Sequence, residues 1–126
     1  MSQWWYVYML WLDNRGLKTK VGHSKCFYTG MSGRLERRIG DYYFKRGRGY
    51  VNTVWRDALR ILVYVEHLHG LRGDALRRES AIKKLSSVGK NRLLRSNRNA
   101  LVSYRPPNIV VRSREGDGSE VVLRME

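Results

Sequence analysis

The stretch FYTGMSGRLERRIGDYY, Phe27–Tyr43, holds two different patterns in one run. Its first residues are rich in aromatic side chains, which is typical of a β-strand. Further on, Leu35, Ile39 and Tyr42 recur at helical spacing. Ser32 stands between the two patterns, where a hydroxyl can cap a helix. The stretch therefore predicts a strand that leads directly into a helix, and the rest of the fold is interpreted outward from this junction.

Toward the N-terminus the pattern predicts a hairpin. Trp4–Leu12 is apolar and aromatic, as expected of a buried strand. Asp13–Gly16, with the letters DNRG, is a turn signal. Leu17–Thr29 is then expected to return as the second strand, which makes an N-terminal β-hairpin.

Toward the C-terminus the chain continues as helix, strand and helices. The loop KRGRGY, Lys45–Tyr50, is expected to end the first helix because its two glycines break helical structure. Ala58–His67 contains LRILVYVEH and is expected to be a central strand. Asp74 is placed to cap a second helix, and a short third helix is expected from Lys90 to about Asn97. The apolar stripe of the second helix is expected to run through Leu76, Ala81, Ile82 and Leu85.

These elements predict a mixed α/β fold of the α+β kind. A small central sheet of about three strands is flanked by helices, in the order β-β-α-β-α-α. Pro106–Pro107 marks a boundary, and the run that follows it is expected to form a C-terminal β-hairpin with its turn at Gly116–Gly118. We therefore expect one main domain over residues 1–105 and a hairpin tail over residues 106–126.

Charge is the most unusual bulk property of the chain. Among 126 residues, 25 Lys and Arg stand against 11 Asp and Glu, which gives a net charge of +14 and a pI near 10.5. Such an excess favours a polyanionic partner. Nucleic acid is favoured over anionic membrane, because membrane binding would require a basic amphipathic helix or a lipidation signal, and the second residue is Ser with no cysteine at the C-terminus. No apolar run approaches the length needed to span a bilayer. The single cysteine, Cys26, excludes an internal disulfide, and we expect an intracellular protein in the cytoplasm or nucleoid.

Side chains that support hydrolysis are few in this sequence. His67 and His69 lie near a predicted strand end and are interpreted as structural. Glu79 is a lone acid among cations, and it either forms an i,i+4 helix pair with Lys83 or has a functional role. Tyrosine is abundant, with eight in the chain. Tyr6 and Tyr8 alternate on the first strand, and antiparallel pairing could bring Tyr28 to the same side, although aromatic residues are common in any strand.

Four blocks in order resemble the GIY-YIG nuclease family. They are WYVYML, YTGMSGRLERR, LVYVE and DALRRESAIKKLS, and together they cover roughly Trp5–Leu94. The similarity is greatest to small stand-alone members and extends to the nuclease domain of the bacterial excision-repair endonuclease UvrC. This resemblance implies that residues 1–105 form a nuclease domain. It also implies an endonuclease that uses one divalent metal, usually Mg²⁺ with Mn²⁺ as an alternative, to hydrolyse DNA.

The resemblance also implies roles for individual residues. The first motif falls on Tyr6-Val7-Tyr8 and the second on Tyr28-Thr29-Gly30, so Tyr8 or Tyr28 would orient or deprotonate the attacking water, with Tyr8 favoured. Arg38 would stabilise the attacked phosphate and Glu79 would hold the metal. Both the metal and Arg38 would favour a phenolate. Asn91 is a weaker match to a further family asparagine.

Two assignments within the resemblance have an alternative: the location of the second motif and the role of Tyr42 or Tyr43. The two motifs are separated by nineteen residues, from Met9 to Phe27, where the family usually has ten or eleven. Either the hairpin carries an insertion, or the second motif is Lys20-Val21-Gly22 and Lys20 takes the place of Tyr28. In some relatives a histidine occupies the place of Tyr42 or Tyr43, so a tyrosine there either serves the site or packs.

The basic middle of the chain is the expected DNA surface, and structure-selective cleavage or low sequence specificity is expected. A catalytically inactive nucleic-acid-binding module is the alternative, and a basic RNA-binding factor is a third reading. The near-neutral tail favours pairing with a sheet edge or a second subunit, which allows a homodimer. The expected phosphate contacts are Arg34, Arg37, Lys45, Arg46, Arg48, Arg77, Lys83, Lys84, Lys90 and Arg92.

Overall fold

The computed structural model describes residues 2–14, 25–56 and 58–102, together with the backbone of two short segments, 109–112 and 120–123. Three strands form an antiparallel sheet: β1 Gln3–Asp13, β2 Lys25–Ser32 and β3 Leu59–Gly70. Their order is β2-β1-β3, so the first strand lies in the centre. The predicted α+β class and N-terminal hairpin are confirmed, whereas the turn and the predicted return over residues 17–24 lie outside the described residues.

The position of β3 differs from the prediction. It is an edge strand of the sheet, not a central one. β3 is as apolar as a central strand because side chains on both of its faces are buried. Leu62 and Val65 belong to the larger core, and Tyr64 belongs to a second core on the opposite face. An edge strand that is covered on both faces has the composition of a central strand.

The helices pack on the two faces of this sheet. The larger core includes Ile39, Val51 and Trp55, and the smaller one includes Ile82. The order of helices and strands agrees with the prediction except for two short additions, α2 and a 3-10 helix. No helix in the described ranges has the length and apolarity needed to cross a membrane. The helices are α1 Leu35–Tyr43, α2 Tyr50–Val54, α3 Arg72–Lys83 and α4 Ser87–Leu94, with the 3-10 helix at Ala100–Val102.

Two predicted helix caps are wrong. Ser32 is the last residue of β2, and its hydroxyl accepts the backbone N–H of Arg34 at 2.9 Å, so it shapes the junction while α1 begins at Leu35. Asp74 lies within the first turn of α3, where its carboxylate accepts the N–H of Leu71 at 2.8 Å. An acid in the first turn satisfies an otherwise unpaired N–H and complements the helix dipole.

The buried stripe of α3 also differs from the prediction. Leu76 and Leu85 are 40% and 38% exposed, whereas Ala75 and Ile82 are fully buried. Residues four and three apart lie on one side of a helix. Glu79 follows Ala75 by four positions and precedes Ile82 by three, so it shares their side. The true stripe therefore turns Glu79 toward the sheet.

The tail forms the predicted pair of strands. β4, Ile109–Arg112, pairs antiparallel with β5, Glu120–Leu123. The predicted turn at Gly116–Gly118 and the boundary at Pro106–Pro107 lie outside the described residues, and the division into residues 1–105 and 106–126 stays a prediction.

Candidate active site

The register of β1 and β2 places the two motif tyrosines on one side of the sheet. Tyr8 lies opposite Gly30, and Leu10 lies opposite Tyr28. Because Tyr8 and Leu10 are two residues apart on β1, they point to the same face, and Tyr28 shares it. A Cβ atom on Gly30 would lie 2.5 Å from the Tyr8 hydroxyl oxygen. The glycine that follows Tyr28 and Thr29 is thus required because the Tyr8 phenol lies directly over it.

Two further tyrosines complete what we call the tyrosine cluster: Tyr8, Tyr28, Tyr42 and Tyr50. Tyr42, from α1, is buried, and its hydroxyl lies 2.6 Å from that of Tyr8. The Tyr42 ring also meets the ring of Tyr28 edge-on at 6.1 Å between centroids. Tyr50, from α2, stacks on Tyr28 at 6.1 Å and is 42% exposed. Sequence reasoning held Tyr42 as a weaker possibility and missed Tyr50, whose only signal was its place after the glycine-rich loop.

Arg38 is brought to this cluster by α1. It precedes Tyr42 by four positions, so the two side chains lie on one side of the helix. Arg38 is exposed and lines a cleft of about 340 Å³ with other cations. We call it the arginine cleft, and its lining residues are Ser32, Gly33, Arg34, Arg37, Arg38 and Asp41.

Glu79 is the carboxylate that α3 turns inward. Its side chain is only 17% exposed, and Oε1 accepts a hydrogen bond from Lys83 Nζ at 3.3 Å. The i,i+4 pair considered from the sequence is therefore present. The pair leaves open a second role for Glu79, because a carboxylate oxygen can exchange a lysine for another cation.

The pKa of Tyr8 depends on the three other residues to which the resemblance assigns a role, Tyr28, Arg38 and Glu79. Burial is the largest influence, and it raises the pKa of the Tyr8 phenol well above its usual value. The Tyr42 hydrogen bond and the charge of Arg38 lower this pKa, while Tyr28 and Glu79 raise it. Tyr28, Arg38 and Glu79 thus all influence the Tyr8 phenol electrostatically. The phenolate expected at Tyr8 is not favoured by the protein groups alone.

Tyr42 is also hard to ionise. Burial raises the pKa of Tyr42 far above its usual value, and the charge and hydrogen bond of Tyr8 raise it further. Both phenols are therefore neutral at neutral pH. One of the two hydroxyls donates a hydrogen bond to the other, and this bond holds the oxygen of Tyr8 in place.

The side chains of the site can be compared with the ligands that Mg²⁺ requires. Within the described residues, no three His, Cys, Asp or Glu side chains form a group that could hold a metal ion. A closed site made by the protein alone is therefore not present in this part of the chain. Mg²⁺, however, commonly binds through one or two carboxylates and takes its other ligands from water and substrate phosphates. A single inward carboxylate, Glu79, fits that mode of binding.

A second acid, which sequence reasoning missed, fixes the helix that carries Glu79. Glu66 on β3 accepts two hydrogen bonds from Arg78, at 2.6 and 2.8 Å, and a third from the Tyr64 hydroxyl at 2.6 Å. Burial opposes the ionisation of Glu66, but these hydrogen bonds outweigh it and lower the pKa of Glu66. We call this arrangement the Glu66–Arg78 clamp. Because Arg78 directly precedes Glu79, the clamp sets the rotation of α3 next to the site.

The predicted phosphate contacts differ in their exposure and in their ion pairs. Some of these cations are already held by acids: Arg46 by Asp41 at 3.2 Å, Arg77 by Asp74, and Lys83 by Glu79. Lys45 is half-buried and has a left-handed backbone with φ of 52°. The exposed side chains that belong to none of these ion pairs are those of Arg34, Arg37, Arg48, Lys84 and Arg92.

The remaining predicted site residues lie in other clefts or outside the described residues. Lys20 lies outside the described residues, so the choice between Lys20 and Tyr28 for the second motif stays open. Asn91 donates to the Ser87 carbonyl oxygen at 2.9 Å and lines a different cleft of about 440 Å³ together with Lys90. Tyr6 is half-buried and lines a cleft beside the arginine cleft. The structure thus brings Tyr8, Tyr28 and Tyr42 together, with Arg38 on the helix of Tyr42 and Glu79 within electrostatic reach of Tyr8, and it places Asn91 in the other cleft.

Comparison with known proteins gives the family of this chain. The sequence model of the GIY-YIG catalytic domain matches residues 4–92. Two Pseudomonas aeruginosa proteins, the UPF0213 protein PA14_14150 of strain UCBPP-PA14 and the UPF0213 protein PA3854 of strain PAO1, are each 37% identical over 90 residues, which cover 71% of this chain and 73% of theirs. No solved structure matches the chain significantly. The matched range spans the sheet, the tyrosine cluster, Arg38 and Glu79, and the chain belongs to the GIY-YIG family, a family of nucleases.

Proposed function

We propose that the protein is a divalent-metal-dependent endonuclease that hydrolyses DNA phosphodiester bonds. One arrangement carries the proposal. Tyr8 shares a face of the sheet with Tyr28, contacts Tyr42 on the helix that carries Arg38, and is influenced by the charges of Arg38 and Glu79. These side chains come from a strand pair and two different helices, so their convergence does not follow from local structure. The net charge of +14 supports a nucleic-acid substrate.

Arg38 is proposed to bind the phosphate that is attacked. Its guanidinium is exposed and lies in a cleft with Arg34 and Arg37. An arginine can donate two parallel hydrogen bonds to phosphate oxygens, which fixes orientation as well as charge. Negative charge grows on these oxygens as water attacks, so a cation already in place lowers the barrier. Asp41 lines the same cleft but is held by Arg46, which limits its repulsion of the phosphate.

Glu79 is proposed to hold the metal ion. When bound there with the substrate phosphate, magnesium would supply a Lewis acid that stabilises charge on the phosphate and acidifies a neighbouring water. The carboxylate is turned toward the sheet by Ala75 and Ile82, and the Glu66–Arg78 clamp holds the helix in that rotation. Lys83 must release Glu79 for this role, and its ammonium is then available to the DNA backbone.

Tyr8 is proposed to orient the attacking water. A neutral phenol can accept a hydrogen bond from water through its oxygen, and the 2.6 Å contact with Tyr42 fixes where that oxygen lies. Removal of the water proton by Tyr8 itself would require a phenolate, which burial disfavours in the protein as described. Tyr28 lies on the same face and is half-buried, so it lies closer to solvent than Tyr8 and is the second tyrosine able to contact the substrate.

The test is a cleavage assay on labelled duplex, single-stranded, flap and four-way-junction DNA. Each is incubated with magnesium, manganese or EDTA, and wild type is compared with Glu79→Gln. We expect cutting that depends on the metal and is lost in the variant, with a preference among DNA structures rather than sequences. Loss of a catalytic metal ligand lowers the rate by orders of magnitude, on the scale of about 10²-fold or more.

Asp13→Asn is the matched control. Asp13 also carries a carboxylate, but it lies at the far end of β1 and pairs with Lys25 at 3.8 Å. This variant should cut like wild type. If the purified protein binds all four substrates and cuts none with either metal, the proposal fails and a catalytically inactive DNA-binding module takes its place.

A further inference from the structure

An exposed group of aromatic rings lies at the end of the sheet and has no part in the chemistry proposed above. The Trp4 side chain is 54% exposed although it is the largest apolar type. Its ring meets that of His67 at 5.6 Å and that of His69 edge-on at 5.2 Å. Tyr6 stacks on His67 at 6.3 Å. We call these four residues, Trp4, Tyr6, His67 and His69, the aromatic platform.

The platform lies on the same face of the sheet as the active site. Trp4, Tyr6 and Tyr8 follow each other at intervals of two on β1, so their side chains share one face. Register adds the two histidines, since His69 lies opposite Trp4 and His67 opposite Tyr6. The rise of a strand puts Trp4 about 13 Å from Tyr8 along β1. A chain bound at Tyr8 can therefore continue onto the platform.

Of the two neighbouring tryptophans, Trp4 and Trp5, only Trp4 is largely exposed. Trp5 faces the other side of the sheet and is half-buried, and its indole N–H donates to the Gly70 carbonyl oxygen at 3.2 Å. Trp4 has His67 and His69 beside it and keeps more than half of its surface in water. A large exposed aromatic surface beside a site is typical of a binding surface.

Cations lie next to the platform. Tyr6 lines a cleft of about 340 Å³ with Arg34 and Arg37, and both arginines are exposed. Glu36 also lines this cleft, so its two arginines outnumber its acid. Arg34 and Arg37 line the arginine cleft as well. A positively charged path thus runs from Arg38 past Tyr6 to the aromatic rings.

We propose that the platform binds an unpaired base of the DNA substrate by stacking on Trp4, while the adjoining backbone lies along Arg34 and Arg37. Aromatic side chains beside a cationic groove are the features that bind single-stranded nucleic acid, because every base offers a flat face to stack on. Paired bases inside a duplex are already stacked and cannot reach Trp4. The substrate class is therefore DNA with a single-stranded segment beside the cleaved phosphate. This inference rests on the proposed nuclease function and narrows its substrate.

The test measures binding without cleavage. Glu79→Gln protein in EDTA is titrated into fluorescein-labelled single-stranded, flap and blunt duplex DNA, and anisotropy gives each dissociation constant. Adding Trp4→Ala should weaken binding to single-stranded and flap DNA about tenfold, since base stacking on one aromatic residue has this size. Blunt duplex binding should change by less than about twofold because phosphate contacts carry it. Trp4→Phe should restore most of the lost affinity.

A second measurement separates stacking from a general loss of affinity. A single abasic position is moved along the single-stranded oligonucleotide. At one position the missing base should weaken binding to Glu79→Gln protein and have no further effect once Trp4→Ala is present. Ile61→Ala serves as control because Ile61 is a 38% exposed apolar residue on β3 near the other end of the sheet. Circular dichroism and thermal melting verify that each variant is folded.

The outcomes are distinct for the two proposals. Equal single-strand affinity with and without Trp4, or an equal loss on single-stranded and duplex DNA, overturns the platform even if the protein cuts DNA. Single-strand binding that depends on Trp4, together with no cleavage by wild-type protein under any metal, supports the platform and removes the nuclease.

Discussion

The hydroxyl oxygens of Tyr8 and Tyr42 lie 2.6 Å apart, and this contact joins the central strand to the helix that carries Arg38. Both rings are buried, and neither phenol ionises easily. A hydrogen bond between two neutral phenols fixes the positions of both hydroxyl oxygens. The hydrogen bond thus couples the oxygen proposed to orient water to the helix that carries the arginine proposed to bind phosphate.

The raised pKa values predict a loss of stability at alkaline pH. An unfolded chain releases tyrosine protons near pH 10, whereas Tyr8 and Tyr42 keep theirs when folded. The stabilisation is fully present below pH 10 and is lost as the pH rises toward the folded values. Each such phenol lowers the free energy of unfolding by about 1.4 kcal/mol per pH unit in that window. Urea unfolding at about pH 9, 10 and 11 measures the slope.

The Tyr8→Phe, Tyr42→Phe double variant is the comparison for this slope. It removes two phenols together, so neither hydroxyl is left without its partner. Its stability should fall less steeply with pH than that of wild type, whereas Ile61→Ala, which removes no phenol, should keep the wild-type slope. Identical slopes for the double variant and wild type would show that the two phenols ionise as readily in the folded protein as in the unfolded one.

Gly30 should not tolerate a side chain. A Cβ there would lie 2.5 Å from the Tyr8 hydroxyl oxygen and 2.7 Å from the ring carbon that bears it. Gly30→Ala must therefore displace the Tyr8 ring, which is fully packed, at a cost of about 1–3 kcal/mol in stability. We also expect loss of cleavage, because the oxygen proposed to orient water moves. Thermal unfolding and the cleavage assay measure the two effects.

Gly49→Ala is the matched control for this variant. No atom lies within 4 Å of a Cβ at Gly49, and its φ of −64° is one that alanine adopts readily. The change should cost less than about 1 kcal/mol and leave cleavage intact. A Gly30→Ala protein as stable and active as Gly49→Ala would contradict the placement of Tyr8 over Gly30.

Part of this arrangement was predictable from the sequence. Alternation along β1 and antiparallel pairing with the next strand indicated that Tyr8 and Tyr28 could share a face, and the spacing of Glu79 and Lys83 indicated a possible ion pair. Such features repeat at fixed intervals of the backbone, so short-range sequence contains them.

The features that were missed depend on contacts between distant segments. The five-residue helix α2 is too short to be stable alone and is held by burial of Val51 in the core. The Glu66–Arg78 clamp joins residues on different elements, and no local pattern indicates it. The exposure of Trp4 was hidden as well, because an apolar strand does not reveal where it extends beyond the helices that cover it.

Breaking the Glu66–Arg78 clamp should affect both stability and the site. The two side chains are only 14% and 26% exposed, and Arg78→Ala leaves Glu66 without both of its guanidinium hydrogen bonds. Removal of one partner from a largely buried pair costs about 3–5 kcal/mol, so a loss toward the lower end is expected. Because α3 is then less firmly oriented, Glu79 should function less well, and kcat should fall in the protein that remains folded.

Arg77→Ala is the control for the clamp. Arg77 adjoins Arg78 on α3 but is 74% exposed and pairs with Asp74 in its own helix. Surface pairs of this kind contribute about 0–1 kcal/mol. If Arg77→Ala and Arg78→Ala destabilise the protein equally, the clamp has no special role in holding α3.

Lys83 should compete with a metal ion for Glu79. Its ammonium lies 3.3 Å from the Glu79 carboxylate, and exposed i,i+4 pairs of this kind contribute about 0.3–0.5 kcal/mol. Lys83→Gln should therefore strengthen Mn²⁺ binding to the DNA-free protein about twofold, as measured by electron paramagnetic resonance of the free ion. Glu79→Gln should remove this binding altogether.

Lys84→Gln removes the same charge from the next, exposed position, and it should leave the affinity closer to wild type. An increase in Lys84→Gln as large as in Lys83→Gln would assign the effect to net charge rather than to the ion pair with Glu79.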